Sequence, residues 1–164
     1  MDNKLFLFVD FDGILATNED WVLCRRKNDR FHDIRNRKIQ AIEKLIRYDI
    51  KCPIYFIPIS AWGHAFSNKE ILNEFLKERE VSFKAFKNQI YIENHSGEER
   101  VKGIQDFIQK YKVKHYLILD DECNDLYKKA NIIYVPYNPI LHKFHENLID
   151  MIKQISKTIE NNDK

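Results

Sequence analysis

The sequence predicts an α/β domain built on a central parallel sheet. Three observations carry that expectation: short apolar runs without polar alternation, helical periods between them, and acidic or hydroxyl residues closing the runs. The runs are Leu5–Val9, Ile54–Ile59, Tyr116–Leu119 and Ile132–Val135, with a shorter one at Ile90–Ile92. Strands covered on both faces by helices need apolar side chains on both sides, so they read as continuous runs. Pro53 and Pro58 leave the ends of the second strand open, because proline removes a ladder donor.

Between the runs, apolar residues recur at three- and four-residue spacing, the signature of a helix with one buried face. Ile39, Ile42, Leu45 and Ile46 mark the first helix. Ile71, Leu72, Phe75 and Leu76 mark the second, with Ser67 or Asn68 as its N-cap. Ile104, Phe107 and Ile108 mark the third, and Phe144, Leu148, Ile152, Ile155 and Ile159 the last. Strands alternating with helices of this length make parallel crossover units.

At 164 residues with 44% hydrophobic content, the chain suffices for one core and is short for two. We expect one domain over 1–158, a short basic insert over 15–33, and a frayed tail over 159–164. The formal net charge of +2 names no partner. Locally, however, Arg25, Arg26, Lys27, Arg30, Arg35, Arg37 and Lys38 outnumber Asp29 and Asp33. Such a cluster is either a solvated face or a rim turned toward an anion. Cys24, Cys52 and Cys123 lack metal-ligand spacing and suggest free thiols in a reducing compartment, hence a cytoplasmic protein. Leu5–Val9 is too short for a signal-peptide core, and no apolar stretch nears the roughly 20 residues of a membrane span.

In open parallel sheets, ligands bind beyond the carboxyl ends of the strands. Asp10, Asp12 and Gly13 follow the first run, Ser60, Ala61 and Trp62 the second, and Asp120, Asp121 and Glu122 the Tyr116–Leu119 run, with Asp125 close behind. Arg100 and Lys102 open the helix before that last strand. Alone, Asp-x-Asp-Gly is a common turn and Asp120-Asp121 a common helix cap. Together, at one rim, these carboxylates cannot all stay ionised without a cation. Oxygen-only donors with room for water favour magnesium over a closed calcium cage. A hydroxyl and a cationic side chain beside the metal complete a pocket for a phosphoryl group.

Asp10-Phe11-Asp12-Gly13, Ser60, the Arg100/Lys102 pair and "LILDDECND" resemble the four motifs of the haloacid dehalogenase-like (HAD) superfamily. "ISAWGHA", "EERVKGIQDFIQKY" and "YLILDDE" are similar to the small HAD domains of multi-enzyme RNA repair proteins and of related phage and bacterial proteins. The resemblance implies a three-layer Rossmann-like fold with a minimal (C0-type) cap. It implies that Asp10 is a nucleophile forming an aspartyl-phosphate, and that Asp12 is the acid and then the base, its carbonyl also binding the metal. Gly13 and Ala61 would offer backbone contacts to the phosphate, and Ser60 its hydroxyl. Either Arg100 or Lys102 would offset the charge. Asp10, Asp12, Asp120, Asp121 and Asp125 would surround Mg2+, Asp121 as a direct ligand. Asp12 and the acidic fourth motif speak against dehalogenase chemistry, which needs neither metal nor leaving-group acid.

An insert as short as 15–33 leaves the site open to a large substrate. Its rim, with Arg25 and Arg26 and with Trp21 and Phe31 alongside, suits a phosphate backbone and a stacked base. The expected substrate is therefore a nucleotide or nucleic-acid terminal phosphate. The alternatives are a small phosphorylated metabolite, or a binding module without catalysis. His64 and His95 receive no role.

Overall fold

The computed structural model describes residues 3–16, 36–60, 65–66, 68–90, 92 and 96–161. Strand β1 (Leu5–Val9) is buried along its whole length and forms the centre of a parallel sheet. Strand β2 (Ile54–Pro58) lies on one side of it, with Leu5 opposite Ile54 and Val9 opposite Pro58. Strand β4 (His115–Leu119) lies on the other, with Leu5 opposite His115 and Val9 opposite Leu119. The two-residue strand β3 (Lys84–Ala85) pairs with Tyr55 and Phe56, giving the order β3-β2-β1-β4.

Successive residues of a strand face opposite sides, and β1 is apolar at every position, so helices can pack on both faces. Leu5, Leu7 and Val9 meet helices α1 (Asn36–Asp49), α2 (Lys69–Glu78) and α5 (Leu141–Asn161) through residues such as Ile39, Ile46, Leu72, Phe144 and Leu148. Phe6 and Phe8 meet helices α3 (Gly97–Tyr111) and α4 (Asn124–Lys129) through Val101, Ile104, Phe107 and Tyr127. Edge-to-face contacts reinforce this second layer, with Phe8 and Phe107 centroids 5.5 Å apart. The result is the expected three-layer α/β fold.

Each crossover begins on a defined cap. Asn68 accepts the Ile71 N–H at 2.9 Å to start α2, while Ser67 lies outside the described residues. Ser96 accepts the Glu99 N–H at 3.1 Å to start α3. No helix among the described residues is long and apolar enough to cross a membrane.

Several expectations change. The strand expected at Ile132–Val135 is not formed: Val135 donates to the Ile118 carbonyl at 3.0 Å, but no ladder follows. Ile132 and Val135 serve packing instead, while Ile133 is exposed. The run at Ile90–Ile92 is likewise no strand among its described residues; buried Ile90 and Ile92 pack into the α3 side of the core. The edge strand is β3, whose Ala85 N–H is held by the Asn73 side chain at 2.9 Å. Pro58 closes β2 at no cost in pairing. Ile59 donates to Val9, so the proline nitrogen faces the other side, beyond the end of β3. Helix α5 continues to Asn161 with Ile159 packed on the core, so residues 159–161 of the expected 159–164 tail are helical, and 162–164 lie outside the described residues. Of the 15–33 insert, only Leu15 and Ala16 are described; both are buried.

Phe11, between the two motif aspartates, anchors the end of β1. Its ring is fully buried, 5.4 Å from Phe66 and 5.9 Å from Phe56 and Phe75. Phe11→Ala is expected to lower the free energy of unfolding by about 3–5 kcal/mol, measured by urea denaturation. A loss below about 1 kcal/mol would show that the ring cluster does not hold this segment.

Candidate active site

The sheet order brings the acidic residues together. Because β1 lies between β2 and β4, the residues following all three strands share one carboxyl edge. Asp10 N–H donates to the Leu119 carbonyl at 2.8 Å, extending the ladder one residue beyond Val9. Asp10, Ser60 and Asp120 are 2%, 3% and 1% exposed.

Arg100, in the first two turns of α3, is buried against this edge. Its Nη1 donates to Asp10 Oδ2 and to Asp120 Oδ2, both at 2.8 Å. Asp120 is further held by the Tyr127 hydroxyl, donating to Oδ2 at 2.7 Å, and by the Glu122 N–H, donating to Oδ1 at 2.9 Å. Both oxygens of Asp120 are thus engaged.

The opposite holds for two neighbouring oxygens. Asp10 Oδ1 and Asp121 Oδ1 are buried and have no hydrogen-bond partner among the described residues. Asp10, Asp120 and Asp121 each bring a carboxylate oxygen within 4.8 Å of the others. An all-oxygen donor set with two unsatisfied carboxylate oxygens fits a hard divalent cation. Asp10 and Asp121 are the residues fitted to hold it, and Asp120 is committed to Arg100 and Tyr127.

A tight turn completes the wall. Phe11 O accepts from Leu15 and Ala16 at 2.9 and 2.8 Å, and Gly13 donates to Ala16 O at 2.8 Å. Gly13 has φ +81°, and a Cβ there would lie 1.9 Å from Asp121 Oδ2. Glycine is required twice over, for the backbone angle and for the space taken by that carboxylate. Asp12 sits exposed on the same turn, bridged to Ala16.

Residues 6–139 match the family described as HAD domain in Swiss Army Knife RNA repair proteins. The chain belongs to this family. The match contains Asp10, Arg100, Asp120 and Asp121, the whole of the cluster just described. Comparison with curated proteins found no match, and comparison with solved structures found none.

In this HAD domain one buried cation faces several carboxylates, and the balance shows in their protonation. Burial pushes Asp10 up to about 7; Asp120, Asp121 and Asp12 add to that, while Arg100 opposes it. Burial likewise pushes Asp121 up to about 6, with Glu122 and Asp120 adding to it. For Arg100, burial works against the charge, yet Asp10 and Asp120 hold it above its ordinary value, so it stays cationic. Burial, then Asp120, pushes the Cys123 thiol up to about 12 and raises the Tyr127 phenol, which keeps both neutral.

Other expected site residues fall elsewhere. Lys102 is exposed, two positions around α3 from Arg100. Asp125 is exposed in the first turn of α4, outside the three-carboxylate cluster. Arg25, Arg26 and Ala61 lie outside the described residues, as do Trp21, Phe31, Trp62, His64 and His95. Tyr127 and Cys123 were not anticipated. Arg100 Nη1 also lies 3.8 Å from Cys123 Sγ, so both residues belong to the pocket that fixes the guanidinium.

The metal-free domain is expected to lose stability as pH rises from about 4 to about 7. Asp10 and Asp121 have folded values above the unfolded 3.8, so the native state binds more protons in that window. Their contribution is complete below about pH 4 and is lost as pH passes about 7. Thermal melting in chelator should show this fall, with a shallower slope for Asp10→Asn. Identical slopes for the two proteins would contradict it.

Proposed function

We propose that this HAD domain is a magnesium-dependent phosphohydrolase that removes a terminal phosphate from a nucleotide or nucleic acid through an aspartyl-phosphate. The observation that carries the reading is the asymmetry within the cluster. One Asp10 oxygen is fixed by Arg100, while the other, with one from Asp121, is buried and has no partner among the described residues. A structural ion-pair network gains nothing from buried oxygens without partners, whereas a site for a metal and a phosphate does. The family description, which refers to RNA repair proteins, supports the nucleotide or nucleic-acid substrate.

Asp10 attacks the phosphorus, forming a carboxylate O–P bond as the bond to the leaving oxygen breaks. Asp12 gives its proton to that leaving oxygen. Water then attacks phosphorus, Asp12 takes its proton, and the O–P bond to Asp10 breaks to release phosphate. Arg100 keeps the Asp10 carboxylate oriented and offsets negative charge as the phosphate enters. Asp120 and Tyr127 hold Arg100 in place, and the Ser60 hydroxyl and the Gly13 turn receive the transferred group. Magnesium, held by Asp10, Asp121 and the Asp12 carbonyl, would neutralise phosphate charge and align the reacting groups. Ala61, Arg25 and Arg26 join this proposal as substrate contacts on sequence grounds alone.

Purified protein should hydrolyse 4-nitrophenyl phosphate when magnesium is added and stop when it is chelated. Asp10→Asn should reduce the rate to background and Asp12→Asn by about 10²–10⁴-fold. Arg100→Ala should cost at least about 10²-fold, with Lys102→Ala close to the parent. Ranking end-phosphorylated oligonucleotides against mononucleotides and sugar phosphates tests the substrate class. No turnover across that panel, or a rate indifferent to Asp10→Asn, would sink the enzyme reading. A preference for sugar phosphates would sink the nucleotide one.

A further inference from the structure

A cavity of about 440 Å³ opens on the far side of the Gly13 turn, between the start of α1 and the segment leading into α5. Gly13 forms part of its wall, and the same residue abuts the Asp121 carboxylate, so the cavity adjoins the acidic cluster across one backbone thickness. The remaining wall divides by chemistry. Ile14, Tyr137 and Phe144 are apolar or aromatic, the last two with rings 5.5 Å apart. Arg37 and Lys38 supply positive charge from the first turn of α1.

We propose that this cavity is a leaving-group subsite for a nucleotide that carries a second phosphate. It holds the base against Tyr137 and Ile14 and the second phosphate at Arg37 and Lys38. The cavity lies within the size range of small-molecule pockets, and its division into an apolar wall and a cationic edge matches a nucleotide's own division. A planar base gains stacking and apolar contact from such a wall. Arg37 presents a planar fork suited to phosphate, and Lys38 a point charge beside it. A helix start already carrying positive backbone character strengthens the preference for an anion. A sugar phosphate would use neither the aromatic wall nor the two cations. A second cavity of about 540 Å³ between α1 and α5 shares Ala41 and His145 with the first, leaving room for a strand to continue.

The inference rests on the phosphohydrolase reading for its orientation, and its test does not depend on turnover. Binding is measured on Asp10→Asn protein with magnesium, by titration calorimetry. The probes are ribose 5-phosphate, adenosine 3′- and 5′-monophosphate, adenosine 3′,5′-bisphosphate, and a pentanucleotide phosphorylated at one end. The bisphosphate is expected to bind at least tenfold more tightly than either monophosphate, and ribose phosphate more weakly than both. Adding Arg37→Glu and Lys38→Glu should erase the advantage of the second phosphate, and adding Tyr137→Leu the advantage of the base. Melting curves confirm that each variant is folded, and Tyr137→Phe, which keeps the ring, should restore binding. A pentanucleotide that outbinds the bisphosphate identifies a strand as the source; equal binding identifies a free bisphosphate. Equal affinity for all probes, or losses shared equally among them, overturns the subsite whatever the activity. Selective binding without turnover in the parent protein overturns only the phosphohydrolase reading.

Discussion

The bond on which the site depends is the forked contact of one Arg100 nitrogen with Asp10 and Asp120, inside a sheet edge almost closed to water. Burying charge is costly unless it is paired, and removing one partner of such a pair typically costs about 3–5 kcal/mol. Arg100 also sits near the positive end of α3, where a cation is out of place. Glu98 and Glu99 in the same turn, and the two buried carboxylates ahead, supply the compensating charge. The guanidinium is there because the site needs it, against the preference of its own helix.

That contact also explains how work is divided among three adjacent carboxylates. Asp120 is saturated by Arg100, Tyr127 and the Glu122 N–H, and so acts as a fixed base plate. Asp10 shares the arginine yet keeps one oxygen unsatisfied, and Asp121, pressed against the Gly13 turn, keeps another. Sequence reading expects both Asp120 and Asp121 around the metal, with Asp121 as the direct ligand. Their hydrogen bonds separate them: Asp120 holds Arg100, and Asp121 keeps a buried oxygen without a partner among the described residues.

How much of this was legible depends on what each feature leaves in the sequence. β1, β2 and β4 were readable because burial on two faces demands unbroken apolar runs, and the aspartates were readable because they end those runs. Ile132–Val135 gave the same signal for a different reason, since an extended segment lying over the core also needs apolar residues. β3 left almost none: two residues, one of them a lysine, are held by a side chain from α2. Arg100 and Lys102 look equivalent as letters, but the helix separates them. Arg100 shares the buried face with Ile104 and Phe107, and Lys102 faces away. Tyr127 was missed because its helix is six residues long, too short for a period to emerge, and its hydroxyl has no sequence signature.

The charge arithmetic of the edge then constrains what can enter it. A single guanidinium cannot balance Asp10, Asp120 and Asp121 when all are ionised, and burial with mutual repulsion pushes Asp10 up to about 7 and Asp121 up to about 6. A phosphate approaching the same edge would add negative charge, and Arg100 is the buried cation that the described residues of the cluster offer it. A divalent cation between Asp10 and Asp121 would remove both difficulties together: it would favour the ionised Asp10 carboxylate and make the edge receptive to an anion. Under the proposed reading, metal and substrate sites would therefore form one electrostatic unit. Asp12 belongs to the same unit, since its charge adds to the rise of Asp10, yet its side chain is exposed on the Gly13 turn.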